Sequence, residues 1–157
     1  VDDNYKTVLE TVVDDVFTNM AFLFCDPIEN NIDIHKYDGK AARMIFHGVV
    51  NGSMIAWLEN SIIHEMTTNI LGIDDDAKLS DAELEDALKE LLNVLVGQFL
   101  VAAVGDKPIF DLSVPLILTS EKTNVDKLWN SSKSIKFMID DRPLIINFHC
   151  ERDNNDY

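Results

Sequence analysis

Two stretches of helical period, each followed by three strand-like runs, constrain this chain more than any other feature. In the first, Val8, Leu9, Val12, Val13, Val16, Phe17, Met20, Ala21 and Phe24 recur at the spacing that gathers apolar side chains on one helix face, which predicts a helix over 5–24. Asp26-Pro27 ends it, because proline cannot continue the ladder. Strand-like runs follow near 32–37, 41–50 and 53–58, and the dipeptides Asp38-Gly39 and Asn51-Gly52 between them are hairpin signals. A short helix over 60–71 closes this half at Gly72.

The second half repeats the plan. After the acidic linker Ile73 to Lys78, Ser80 and Glu83 stand at the S-x-x-E spacing of a capping box, which predicts a long helix over 81–104 ending at Gly105. Runs near 109–119, 133–140 and 144–150 read as strands, the last two joined by the turn Asp140-Asp141-Arg142-Pro143. Helices set apart from hairpin-connected strands give an α+β fold. It has an antiparallel sheet and two long helices in a pseudo-duplicated helix-plus-three-strand arrangement. The expected organisation is one domain over 1–150 and a polar tail over 151–157.

With 46% hydrophobic residues in 157, the chain can bury one sizeable core. Its net charge of -15 opposes nucleic acid, whose phosphates would be repelled at every approach, and favours a partner that offers lysine or arginine. Cys25 and Cys150 are too few for a disulfide framework and read as reduced core thiols. The stretch Val94 to Val104 is interrupted by Gly97 and Gln98 and falls short of the roughly 20 apolar residues of a membrane span. No signal-like segment opens the sequence, so no membrane and a cytoplasmic location are expected.

The long second helix carries the chemistry. At 100° per residue, Leu84, Ala87, Leu88, Leu91, Leu92, Leu95 and Phe99 form one apolar arc, and Asp86, Lys89, Glu90 and Asn93 fall opposite. Glu90 and Asn93 are therefore neighbours on the solvent side, with Gly97 one turn beyond. A glycine inside an exposed helix face costs helix stability, but it lets another surface come close. Three E-x-x-N strings occur, at Glu90, Glu121 and Glu151. Only the first combines a helix, an exposed face and a nearby glycine.

The run Asp86-Ala87-Leu88-Lys89-Glu90-Leu91-Leu92-Asn93-Val94-Leu95-Val96-Gly97 resembles the E-x-x-N helix of the CheC, CheX and FliY phosphatases of bacterial chemotaxis. Phe46-His47-Gly48-Val49-Val50-Asn51-Gly52-Ser53-Met54, the helix ending Ile70-Leu71-Gly72, and Ile109-Phe110-Asp111-Leu112-Ser113-Val114-Pro115 are similar to that family's elements before and after the motif. The resemblance runs from the first helix to about Cys150, and it implies a CheC-like fold of the CheX type.

It also implies a function. The protein would hydrolyse the aspartyl phosphate of a CheY-like response regulator, with Glu90 and Asn93 as catalytic residues: Asn93 placing the water, Glu90 docking on the regulator's lysine. Asp86, Lys89 and Gly97 would contact the partner. The regulator would bring its own Mg²⁺, leaving this chain with no cofactor, and CheX-like homodimer pairing through sheet edges would follow. The rival reading is a non-catalytic adaptor of the same fold that binds a response regulator or a CheD-like partner. Relatives with two sites carry a second E-x-x-N on the first helix. Here the string Glu10-Thr11-Val12-Val13 has valine in place of the amide, so one site per chain is expected. Lys89 either pairs with Glu85 or crowds the partner.

No metal site is expected. His35, His47, His64 and His149 lack zinc-like spacing, and Asp74-Asp75-Asp76 with Asp81 lacks the glycine and terminal glutamate of a calcium loop. Trp57 and Trp129 read as core or interface aromatics, not as a ligand platform.

Overall fold

The structure is a computed structural model, and it describes residues 3–28, 31–120 and 123–152. Along the chain run α1 (Asp3–Ala21), β1 (Asp26–Pro27), a single 3₁₀ turn (Ile34–Lys36), β2 (Gly39–His47), β3 (Val50–Glu59) and α2 (Asn60–Leu71). The second half supplies α3 (Asp81–Val104), β4 (Asp111–Leu112), β5 (Leu116–Leu118), α4 (Val125–Asn130), β6 (Ser134–Ile139) and β7 (Arg142–Arg152). Both predicted long helices form, and α3 has the predicted bounds.

The strands make one antiparallel sheet in the order β1-β6-β7-β3-β2-β4, with β5 also on β2. This order is a palindrome of the two halves. Each half contributes a central hairpin, β2–β3 or β6–β7, and the hairpins join through the β3–β7 ladder. Each half also sends its first strands across to the other: β1 pairs β6, and β4 and β5 pair β2. The expected duplication is therefore visible as an exchange of edge strands.

Strand alternation divides the core. Met54, Ala56 and Leu58 of β3 and Leu144, Ile146 and Phe148 of β7 point to the face covered by α1, α2 and α3, where Phe17, Phe99 and Leu92 meet them. Trp57 and Ile145 point the other way, into a smaller cluster with Ile34, Ala41 and Trp129 under the 3₁₀ turn and α4. Because both faces are covered, Leu144, Ile145 and Ile146 are all buried in succession. Taken whole, α3 is long and apolar enough to cross a membrane by length and composition, which the interrupted stretch Val94–Val104 does not suggest. Here Leu88, Leu91, Leu92, Leu95, Val96, Phe99 and Leu100 bury that surface inside the fold.

Several local expectations are corrected. The helix α1 stops at Ala21 because Phe22 turns left-handed (φ 56°) and the Leu23 N–H donates to the Phe17 carbonyl at 3.1 Å. Phe24 is therefore off the stripe and 72% exposed. Residues 34–36 form a 3₁₀ turn instead of a strand, its His35 N–H held by the Asp33 side chain at 3.2 Å. Asp38-Gly39 joins no two strands: Gly39 lies within β2 opposite Glu59.

The β2–β3 hairpin turns at Gly48-Val49, and Asn51-Gly52 lies inside β3. Gly52 serves packing there, since a Cβ would come within 2.7 Å of the Phe46 ring and 2.0 Å of the His149 carbonyl oxygen. The run 109–119 is split around the buried Pro115 into β4 and β5. In the β6–β7 turn both Asp140 and Asp141 have positive φ, as a two-residue hairpin requires. Glu151 and Arg152, read as tail, pair with Asn51 and Val50.

Candidate docking and catalytic face on the long helix

The register of α3 is set at its first turn. The Ser80 hydroxyl accepts from the Glu83 N–H at 3.2 Å, and the Glu83 carboxylate accepts from the Ser80 N–H at 2.7 Å. These bonds hold the exposed Glu83 carboxyl below its ordinary range. From this start, the buried side chains fall on the sheet side and Asp86, Glu90 and Asn93 fall on the solvent side, as the helical period requires.

The carboxylates around Glu90 are engaged. Asp81 and Glu85 face Lys40 of β2 at 3.6 and 3.7 Å, and Asp86 pairs with Lys89 at 3.1 Å. Lys89 thus takes Asp86 three residues back, because Lys40 already occupies Glu85, and its ammonium is drawn toward the helix start. Neither the Glu90 carboxylate nor the Asn93 amide has a hydrogen-bond partner among the described residues. Two exposed polar groups of complementary kind, one turn apart, are left available to an outside molecule. Next to them, a Cβ built on Gly97 meets nothing within 4 Å. The fold does not require glycine at this position.

The other E-x-x-N strings hold no comparable pair. Glu121 lies outside the described residues, and Asn124 caps α4 by accepting from the Lys127 N–H at 3.0 Å. Glu151 sits on β7 with its carboxylate 3.2 Å from His149, and Asn154 lies outside the described residues. No group of three or more His, Cys, Asp or Glu that could hold a metal occurs among the described residues. His64 instead donates from Nε2 to the Ala77 carbonyl at 2.8 Å, pinning the acidic linker to α2. Burial, with Asp14 and Asp26 nearby, pushes the Cys25 thiol up to about 12, and burial pushes Cys150 up to about 11, so neither is a nucleophile at neutral pH.

One neighbouring feature escapes the sequence. Met20, Thr67, Ile70, Leu71 and Ala87 line an apolar groove of about 240 Å³, rimmed by Glu83, Asp86 and Glu90. Its residues come from three helices, so no single segment announces it.

Residues 41–139 match the family model described as chemotaxis phosphatase CheX. A CheX from Vibrio vulnificus superposes with a TM-score of 0.71 at 18% identity, covering 94% of this chain and 96% of its own. A CheC-like superfamily protein from a Shewanella species gives 0.73 at 18% identity, covering 96% and 99%. A CheX–CheY–BeF3–Mg²⁺ complex from Borrelia burgdorferi gives 0.65 at 16% identity, covering 94% and 98%. At these identities the likeness is one of fold. Among curated protein sequences nothing matches.

Proposed function

The chain belongs to the chemotaxis phosphatase CheX family, and from that premise we propose that it removes the phosphoryl group from the aspartate of a CheY-like response regulator, using Asn93 and Glu90. The carrying observation is the unpartnered pair on one exposed helix face, with open space at Gly97. Hydrolysis needs a water in line with the phosphorus, opposite the leaving aspartate oxygen. The Asn93 amide can accept from and donate to that water, fixing its position without taking its proton. As the water oxygen bonds to phosphorus, the bond to the aspartate oxygen breaks, the regulator recovers its carboxylate, and both protons of the water leave with the phosphate.

Glu90 would face the regulator's lysine and set the register of the two surfaces. The solved CheX–CheY complex with Mg²⁺ supports a CheY-type partner that brings the metal. A cytoplasmic location goes with such a partner. Asp86, Lys89 and Gly97 border the contact, and the Asp86–Lys89 pair leaves the Asn93 side uncovered. A homodimer belongs to the same reading. It is supported by the sheet edge at β4 and β5, where Leu112, Val114 and Leu116 are exposed and an edge needs cover.

The test is the decay of a phosphorylated CheY-type regulator with and without this protein. We expect Asn93→Ala to leave the fold and regulator binding intact and to slow catalysed decay by about 10²-fold or more. An unchanged rate would remove Asn93 from the mechanism.

A further inference from the structure

The groove beside Glu90 has the features of a prepared contact. Leu71, the last residue of α2, is 58% exposed, and Ile70 before it is also exposed, so two large apolar side chains stand in water at the groove's edge. Their backbone is tightly held. Gly72 turns left-handed (φ 63°), its N–H donating to the Asn69 carbonyl at 3.3 Å, and the Ile73 N–H donates to the Thr68 carbonyl at 3.1 Å. The Asn69 amide in turn donates to the Ala21 carbonyl at 2.8 Å, fastening the end of α2 to the end of α1. The wall is fixed before anything binds, which lowers the ordering cost of association.

Its rim and size narrow the occupant. Among the described residues, Glu83 and Glu90 supply carboxylates with no cation of their own along the α3 side, Asp86 being paired with Lys89, in a chain whose net charge is -15. A second copy would bring the same acidic surface against this rim, and like charges would oppose that contact. About 240 Å³ lies below the roughly 300–1,000 Å³ of small-molecule sites and suits one or two protein side chains. Glu90 belongs both to this rim and to the reactive face, with Asn93 one turn further along.

We propose that this groove is the selectivity half of the docking face: it receives an apolar side chain, flanked by lysine or arginine, from the surface of the response regulator. The proposal rests on the docking role assigned to Glu90. Apolar burial at the groove then determines how tightly the regulator is held, and Asn93 determines how fast its phosphate leaves.

The experiment uses the double variant Ile70→Ser/Leu71→Ser, with Val49→Ser at the β2–β3 turn, outside the groove, as the control. Thermal melts establish that each variant folds. Steady-state dephosphorylation of a CheY-type regulator, and binding of the same regulator activated with beryllium fluoride, are then measured. We expect KM and Kd to rise about tenfold in the double variant with kcat within about twofold, since truncating central apolar contacts loosens binding without touching the reacting atoms. Kinetics and binding matching Val49→Ser, or a loss in kcat with KM unchanged, would overturn the proposal. So would a change in the chain's own oligomeric state on sedimentation, which would assign the groove to a second copy. Groove-dependent binding without hydrolysis would sink the phosphatase reading and leave the groove standing. Hydrolysis insensitive to the groove would do the reverse, and a protein that neither binds nor hydrolyses would refute both.

Discussion

The two long helices share a buried face and differ on the exposed one. On α1, Leu9, Val12, Val13, Val16, Phe17 and Ala21 are buried; on α3, Leu88, Leu91, Leu92, Leu95, Val96 and Leu100 are buried at the same successive intervals. In this common phase Thr11, Asp14 and Thr18 stand where α3 carries Glu90, Asn93 and Gly97. The string Glu10 to Val13, the nearest likeness to E-x-x-N, is out of phase by one residue: Val13 is 0% exposed and cannot face a partner. Thr11 turns its hydroxyl onto the Thr7 carbonyl at 3.1 Å, and Glu10 lies 3.9 Å from Lys6. Thr11, in the place of Glu90, thus satisfies itself within the helix, whereas Glu90 does not. Packing fixes only the intervals of the buried side, so the other side of each helix could take up separate chemistry.

The comparison is broken most severely by charge reversal on the α3 face. Glu90→Lys should weaken regulator binding by roughly 2–5 kcal/mol, about 30-fold or more in Kd, because it sets two cations together in a partly desolvated contact. Asp15→Lys, on the exposed side of α1 and outside the groove, changes net charge equally, and its smaller loss should fade with added salt. Titration calorimetry at low and high ionic strength separates them. Equal losses would mean that Glu90 makes no specific contact.

Gly97→Ala should move stability and function in opposite directions. The melt should show a gain of roughly 0.5–1 kcal/mol, since alanine is the better helix former and the open space admits its methyl group. Dephosphorylation should fall about tenfold if that space is where the partner comes closest. A stabilised protein with undiminished activity would remove Gly97 from the interface. The smallest effect belongs to α1: Asp14→Ala should alter the dephosphorylation rate by less than about twofold, as surface substitutions away from a site do. A larger drop would give α1 a working face of its own.

What could be read in the sequence was what lies within one element or one turn, as in α3 and the β6–β7 hairpin. Ser80 and Glu83 announce the start of α3, Gly105 its end, and the period between them is enough to put Glu90, Asn93 and Gly97 together. Misreadings arose wherever a distant residue decides. Phe22 adopts a left-handed conformation that its side chain does not advertise, and Gly52 is glycine because Phe46 and His149 crowd it, not because it turns. The helix α4 is six residues long, too short to show a period, and its Trp129 is buried with Ile34 and Ile145 from elsewhere in the chain. Lys89 chose Asp86 over Glu85 because Lys40 reaches over from β2. The groove, assembled from Met20, Ile70, Leu71 and Ala87, has no linear signature.

The palindromic sheet also dictates the order of assembly. Its central ladder joins Trp57 to Ile145 and Met54 to Phe148, partners far apart along the chain, and the first half's hairpin gains its neighbours β4, β5 and β7 only from the second. Such non-local pairing makes for slow folding, since loop closure must come before the contacts that reward it. On a ribosome, α1 and the β2–β3 hairpin would emerge with their apolar faces uncovered, wait for α3 to cover them, and wait longer for β7 to complete the ladder. Neither hairpin can complete its ladders ahead of the other, whereas the face that carries Asn93 already has α1, α2, β2 and β3 behind it when α3 emerges.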